Sequence, residues 1–276
     1  MSPPSSRYRI LDSLGKGGMG EVFLADDTQL GRKVAIKFVT EALQSDPTPR
    51  ERLHREARSA AALDHPYICK IYEIAEVDAR TGIVMEYVSG ETLQAWLARG
   101  PVSPQRALEI ASEIAEALDE AHRHRLVHRD LKPANVMMTG QGHVKVMDFG
   151  LAKALESASG PLDSVDCAET VAPLTESGVR VGTPGYMAPE QLLGGQTDTR
   201  SDIVAFGILL YEMLAGVHPF HRTSQSGTMA AILRDPPPPV TQYRGPCRNP
   251  RGRCSTGCWR RSRSGDISRS PMCAPT

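Results

Sequence analysis

The run His128-Arg129-Asp130-Leu131-Lys132-Pro133-Ala134-Asn135, with Val144-Lys145-Val146-Met147-Asp148-Phe149-Gly150 close behind it, decides how this chain is read. A carboxylate at Asp130 suits the task of accepting or orienting a hydroxyl proton, and Lys132 offsets negative charge beside it. Asn135 and Asp148 supply the hard oxygen donors that magnesium prefers. Either segment alone would pass for a polar loop. In this order, and after the two motifs upstream of them, coincidence is negligible.

The first of those motifs is Leu14-Gly15-Lys16-Gly17-Gly18-Met19-Gly20-Glu21-Val22. Glycines at Gly15, Gly17 and Gly20 let backbone amides come close to phosphate oxygens. A dinucleotide fold would want a helix directly after them, whereas Glu21-Val22-Phe23-Leu24 reads as a strand. The second is Val34-Ala35-Ile36-Lys37, an apolar strand that ends on a lysine. Such a lysine is ordinarily a snorkelling edge residue. Glu56, on the helix expected next, offers a partner that would hold the ammonium near phosphates.

Around these motifs the chain changes character once. Residues 8–39 alternate as three strands, residues 50–63 form a helix stopped by Asp64-His65-Pro66, and 68–75 and 81–88 read as two more strands. From 92 onward the pattern is helical, at 92–98 and 105–124, with a buried helix at 203–214. Residues 160–179, rich in Ser, Thr, Pro and acids, read as a long surface loop. The expected class is α+β, with a small β-rich first lobe carrying one helix and a larger, mainly α second lobe.

Bulk composition narrows the rest. Hydrophobic residues make up 40% and charged residues 23% of the 276 residues, as in ordinary soluble proteins. The 32 basic and 32 acidic residues balance, so no nucleic-acid partner is expected. No segment reads as a membrane span. The six cysteines, Cys69, Cys167, Cys247, Cys254, Cys258 and Cys273, are too sparse for a disulfide framework, and a cytoplasmic setting is expected.

The set GKGGMGEV, VAIK, HRDLKPAN, DFG and APE resembles the eukaryotic-type protein kinases. GGMGEVFLA, MEYVSGETL and GTPGYMAPEQ look like their bacterial serine/threonine branch. The resemblance covers residues 8–240 and implies the bilobal kinase fold, with an N-lobe at 8–88 and a C-lobe at 89–240. It implies ATP and Mg2+ as cofactors and proteins with Ser or Thr acceptors as partners, with possible self-association for trans-autophosphorylation. Asp130 would be the catalytic carboxylate, Lys132 would steady the γ-phosphate, Asn135 and Asp148 would bind the metals, and Lys37 and Glu56 would form an ion pair. ATP would meet Leu14, Gly15, Lys16, Gly17, Gly18, Met19, Gly20 and Lys37, with Val22 and Ala35 about the purine. Met85 would be the gatekeeper, and Glu86 to Val88 the hinge whose backbone bonds adenine. Lys132 and Thr183 favour Ser/Thr over Tyr acceptors. Arg129 would await a phosphate on Thr175 or Thr170, of which Thr175 lies nearer the Gly182-Thr183-Pro184 anchor. Asp202 resembles the aspartate that braces the catalytic loop, with a helix N-cap as the plainer alternative.

Both ends fall outside this pattern. Residues 1–7 are expected to be disordered. The family would continue past 240 with two helices and an arginine for Glu190, yet residues 243–276 hold eight arginines, no lysine and one acid, Asp266, with no apolar periodicity. A reading-frame shift near residues 243–249 accounts for this, because a GC-rich codon choice for 254–262 conceals a leucine-rich helical segment in the neighbouring frame. The tail 241–276 is then an aberrant, disordered product. A catalytically impaired, nucleotide-binding scaffold is the alternative function.

Overall fold

A computed structural model describes residues 7–17, 20–39, 47–78, 80–100, 102–149, 184–243, 259–261 and 267–269. Thr170, Thr175, Thr183, Gly18 and Met19 lie outside the described residues.

The alternation of the first lobe becomes a five-stranded antiparallel sheet in the order β1-β2-β3-β5-β4. Its strands are β1 (Tyr8–Gly17), β2 (Gly20–Asp27), β3 (Arg32–Phe38), β4 (Ile71–Val77) and β5 (Arg80–Glu86). The helix α1 (Pro47–Ala61) crosses one face. Val34, Ile36, Phe38 and Val84 bury the other face with Tyr8 and Ala25. Gly20, with φ +127°, closes the glycine hairpin, and a Cβ there would meet Phe38 O at 2.1 Å. Only glycine fits that approach.

Arg7 corrects the expected disordered N-terminus at its last residue. Its guanidinium grips the fully buried Asp27 with two bonds (Nε 3.0 Å, Nη2 2.8 Å) and Glu73 with a third at 2.7 Å. A buried carboxylate without a cation is costly, so the chain is pinned one residue before β1 begins.

The second lobe opens with β6 (Gly90–Thr92), α2 (Leu93–Leu97) and α3 (Pro104–Arg123). Thr92 and Ser103 cap the two helices through Ala95 N (3.1 Å) and Arg106 N (3.2 Å). β7 (Val136–Thr139) and β8 (Val144–Val146) join β6 in a three-stranded sheet, order β6-β7-β8. Beyond it come α4 (Pro189–Leu192), α5 (Thr199–Ala215) and α6 (Gln225–Arg234). One apolar core runs from Leu53 and Ala57 of α1, through Ile110 and Ile114 of α3, to Leu209 and Met213 of α5.

A seam joins the two lobes apart from the chain connection. Val146 N–H donates to Tyr67 O (2.8 Å) and Cys69 N–H donates to Val146 O (2.9 Å), making a parallel bridge between Ile68 and Val146. Lys145 adds an ion pair to Glu86 at 2.9 Å. No helix among the described residues is long and apolar enough to cross a membrane.

Residues 238–276 form a separate unit. Within it Val240–Gln242 makes a 3-10 turn, and β9 (Trp259–Arg261) pairs antiparallel with β10 (Ile267–Arg269). This corrects the expected disorder for those segments: Trp and Ile favour extended backbone, and two short runs suffice for a ladder. A two-stranded ladder alone is marginal in water.

Candidate active site

The short turn Pro133–Asn135 and the strand β7 position the residues of the decisive run. Lys132 Nζ donates to Asp130 Oδ2 at 2.7 Å, and Asn135 Nδ2 reaches Asp130 O at 2.8 Å and Oδ2 at 3.0 Å. With its amide nitrogen engaged on Asp130, Asn135 keeps its carbonyl oxygen for another partner. Asn135 O accepts from Met147 N at 2.9 Å, which sets Asp148 beside this group.

Two backbones here are strained. Arg129 and Asp148 hold φ of 67° and 62°, a region that residues with side chains enter at a cost of about 1–3 kcal/mol each. Asp202 of α5 holds the first of them. Its buried carboxylate accepts from the backbone N–H of His128 (2.8 Å) and of Arg129 (2.8 Å), and its Oδ2 lies 2.8 Å from His122 Nε2. The brace is therefore its role, and Asp198 is the N-cap of α5, accepting from Arg200 N at 2.8 Å. Burial pushes the Asp202 carboxyl up, but the His122 hydrogen bond, His128 and the backbone donors outweigh it and hold the group below the usual carboxylate range.

His128 links the two decisive segments. Asp130 N–H donates to its Nδ1 (3.3 Å), so the proton sits on Nε2 and is given to Met147 O at 2.9 Å. Its ring lies 4.7 Å from that of buried Phe149.

The expected Lys37–Glu56 pair is corrected. Lys37 Nζ instead lies 2.8 Å from Asp148 Oδ2, while Glu56 Oε1 faces Arg129 Nη1 at 3.8 Å. These four charges are mostly buried. Burial alone would raise the Asp148 carboxyl, yet Lys37 holds it below its ordinary value.

Met85 is buried on β5, paired in register with Ala35, and Val22 pairs with Lys37. Behind Met85 lies a cavity of about 10 Å3, room for one water, bordered by Cys69, Ala60 and Phe149. Burial pushes the Cys69 thiol up to about 12. Glu86, read for its backbone, also uses its side chain, on Lys145 and on Lys70 N (3.2 Å). Lys16 pairs with Glu21 at 2.8 Å across the glycine hairpin.

Sequence reasoning missed Gln191. Its Nε2 donates to Arg129 O (2.8 Å) and its Oε1 accepts from Ala188 N (2.9 Å), tying α4 to the residue before Asp130. Its place directly after Ala188-Pro189-Glu190 was the available signal. Glu190, expected to lack its arginine, accepts from the Ser201 hydroxyl of α5.

Among the described residues no group of three His, Cys, Asp or Glu side chains could hold a metal ion. A set limited to Asn135 and Asp148 fits magnesium, which is commonly held by one or two protein oxygens together with substrate phosphates and water.

Known proteins resemble this chain. The chain is 40% identical over 252 residues to the serine/threonine-protein kinase PknB of Mycobacterium leprae, covering 88% of this chain and 38% of that protein. It is 42% identical over 217 residues to the serine/threonine-protein kinase PrkC of Bacillus subtilis, covering 78% and 31%. The chain thus spans about a third of the length of these relatives. The crystal structure of the PknI kinase domain of Mycobacterium tuberculosis superposes with a TM-score of 0.64 at 28% identity, covering 88% of this chain and 85% of that one. Residues 8–244 match the protein kinase domain model, and the chain belongs to that family.

Proposed function

We propose that this chain transfers the γ-phosphate of ATP to serine or threonine hydroxyls of proteins, and that it does so with magnesium. The observation that carries the reading is the Asp130 carboxylate held between Lys132 Nζ and Asn135 Nδ2. Asp130 orients the acceptor hydroxyl and receives its proton as that oxygen bonds to phosphorus and the bond to the leaving ADP breaks. Lys132 and Lys37 offset charge on the transferred group, and the amides of the glycine hairpin cradle the phosphates. Asn135 and Asp148 would hold magnesium, which supplies further charge compensation there.

Regulation follows from the exchanged pairs. A phosphate on Thr175, placed by a second copy of the chain, competes with Glu56 for Arg129 and frees Glu56 to draw Lys37 from Asp148. Asp148 then keeps both oxygens for magnesium. The reading also places the chain in the cytoplasm. Its alternative, an impaired nucleotide-binding scaffold, is favoured by one observation, the Lys37–Asp148 pair that occupies both groups.

Lys37→Met and Asp130→Asn each abolish transfer of labelled phosphate to a generic basic protein, while melting within a few degrees of the parent. Full activity in either variant would refute the assignment. An inactive parent that still binds ATP would select the scaffold.

A further inference from the structure

His218 lies on the connection after α5, and no role above uses it. Both ring nitrogens are engaged. Phe220 N–H donates to Nδ1 at 3.1 Å, so the proton sits on Nε2, which donates to Gly185 O at 2.8 Å. The ring stands edge-on to Tyr186, centroids 5.0 Å apart at 87°, and the Tyr186 hydroxyl donates to Glu212 of α5. A Cβ on Gly185 would come within 3.3 Å of Nε2, so the glycine admits the imidazole. These contacts hold the turn Pro184–Tyr186, which runs on through Met187 into α4 and so to Gln191 and the backbone beside Asp130. Through Gln191 this segment is tied to the backbone next to Asp130.

Resting on the reading of Asp130 as the carboxylate that orients the acceptor, we propose that His218 is a positioning residue for the protein substrate: it holds residues 184–187 in the conformation that receives the acceptor chain, and protonation of its ring releases them. An imidazolium has no lone pair at Nδ1, and its new N–H would point at the N–H of Phe220. Burial keeps the ring below its ordinary value, the Gly185 hydrogen bond opposes that, and His221 adds to it. Because the folded value is depressed, the arrangement is intact above the ordinary histidine value of about 6.5 and weakens as pH falls below it. The titratable groups about the ring are Tyr186, Glu212 and His221. Burial raises Tyr186 further out of this range and moves Glu212 toward it, so the loss of the pH dependence in His218→Phe is what assigns the change to His218. Arg222, four residues on, is paired with Asp235 at 2.7 Å.

Steady-state kinetics of the full chain with ATP and a basic protein acceptor, at pH values from about 5.5 to 8, test this. The KM for the protein acceptor rises roughly fivefold or more toward the acid end, while the KM for ATP stays flat. His218→Phe, which keeps the ring contact and loses both hydrogen bonds, shows the raised acceptor KM at every pH, with ATP hydrolysis in the absence of acceptor unchanged. If the phenylalanine variant melts early, His218→Gln, whose amide can donate to Gly185 O and accept from Phe220 N but takes up no proton, keeps the low acceptor KM across the whole pH range. A His218→Phe chain with the parent's acceptor KM and pH profile overturns the proposal, as does a loss that falls equally on the KM for ATP. If the parent transfers no phosphate at all, that failure belongs to the functional reading. Hydrogen exchange at residues 185–187 then decides alone: opening that grows below about pH 6 in the parent and is pH-independent in His218→Phe supports the role of His218, and equal behaviour in both overturns it.

Discussion

Asp202 shows what one side chain does for the site. Three N–H donors converge on a carboxylate that is 1% exposed, and two of them belong to the loop that carries Asp130. Replacing it by alanine strands those donors and frees the strained backbone of Arg129. Asp202→Ala should therefore cost about 3–5 kcal/mol in urea unfolding and abolish phosphoryl transfer. Asp202→Asn keeps an acceptor oxygen and should recover part of the stability. At this scale the sequence was legible where chemistry dictates residue type, as at Asp130, Lys132, Asn135 and Asp148. It was not legible for Gln191 and His218, whose roles arise from backbone groups 62 and 33 residues away. Nor could spacing reveal that Lys37 meets Asp148 rather than Glu56, since Asp148 lies 111 residues away and only the fold brings it in.

The elements were legible in proportion to their length. The long helices announce themselves by period and by caps, and the alternation of β2 and β3 predicts the first sheet. The three-stranded sheet escaped because β6 and β8 are three residues each, too short to show a period. The helix α5 shows the opposite effect: apolar around almost its whole circumference, it reads as buried, yet Ile203 is 61% exposed and Gly207 continues that stripe as exposed surface, while Leu210 and Leu214 pack against the core. Leu209, on the other side, is fully buried. Ile203→Glu should change the unfolding free energy by less than about 0.5 kcal/mol, whereas Leu209→Ala should remove about 2–5 kcal/mol. Equal costs would mean that the stripe is covered.

For the whole molecule, the motifs carried the reading to residue 240, and the family match runs to residue 244. Beyond that the sequence offers no apolar period, and we propose that residues from about 243 onward are read in a shifted frame. Restoring the neighbouring frame should raise the melting temperature by several degrees and increase phosphoryl transfer; a chain unchanged in both would refute the shift as a functional lesion. The seam at Val146 has its own consequence for motion. A body attached at a single point turns freely about any axis, but one attached at two points swings about the line between them. The backbone joins the lobes at the chain crossing after Glu86 and again at the Ile68–Val146 bridge, with the Lys37–Asp148 pair as a side-chain latch between them, so a nucleotide entering the cleft works against a door rather than a ball joint.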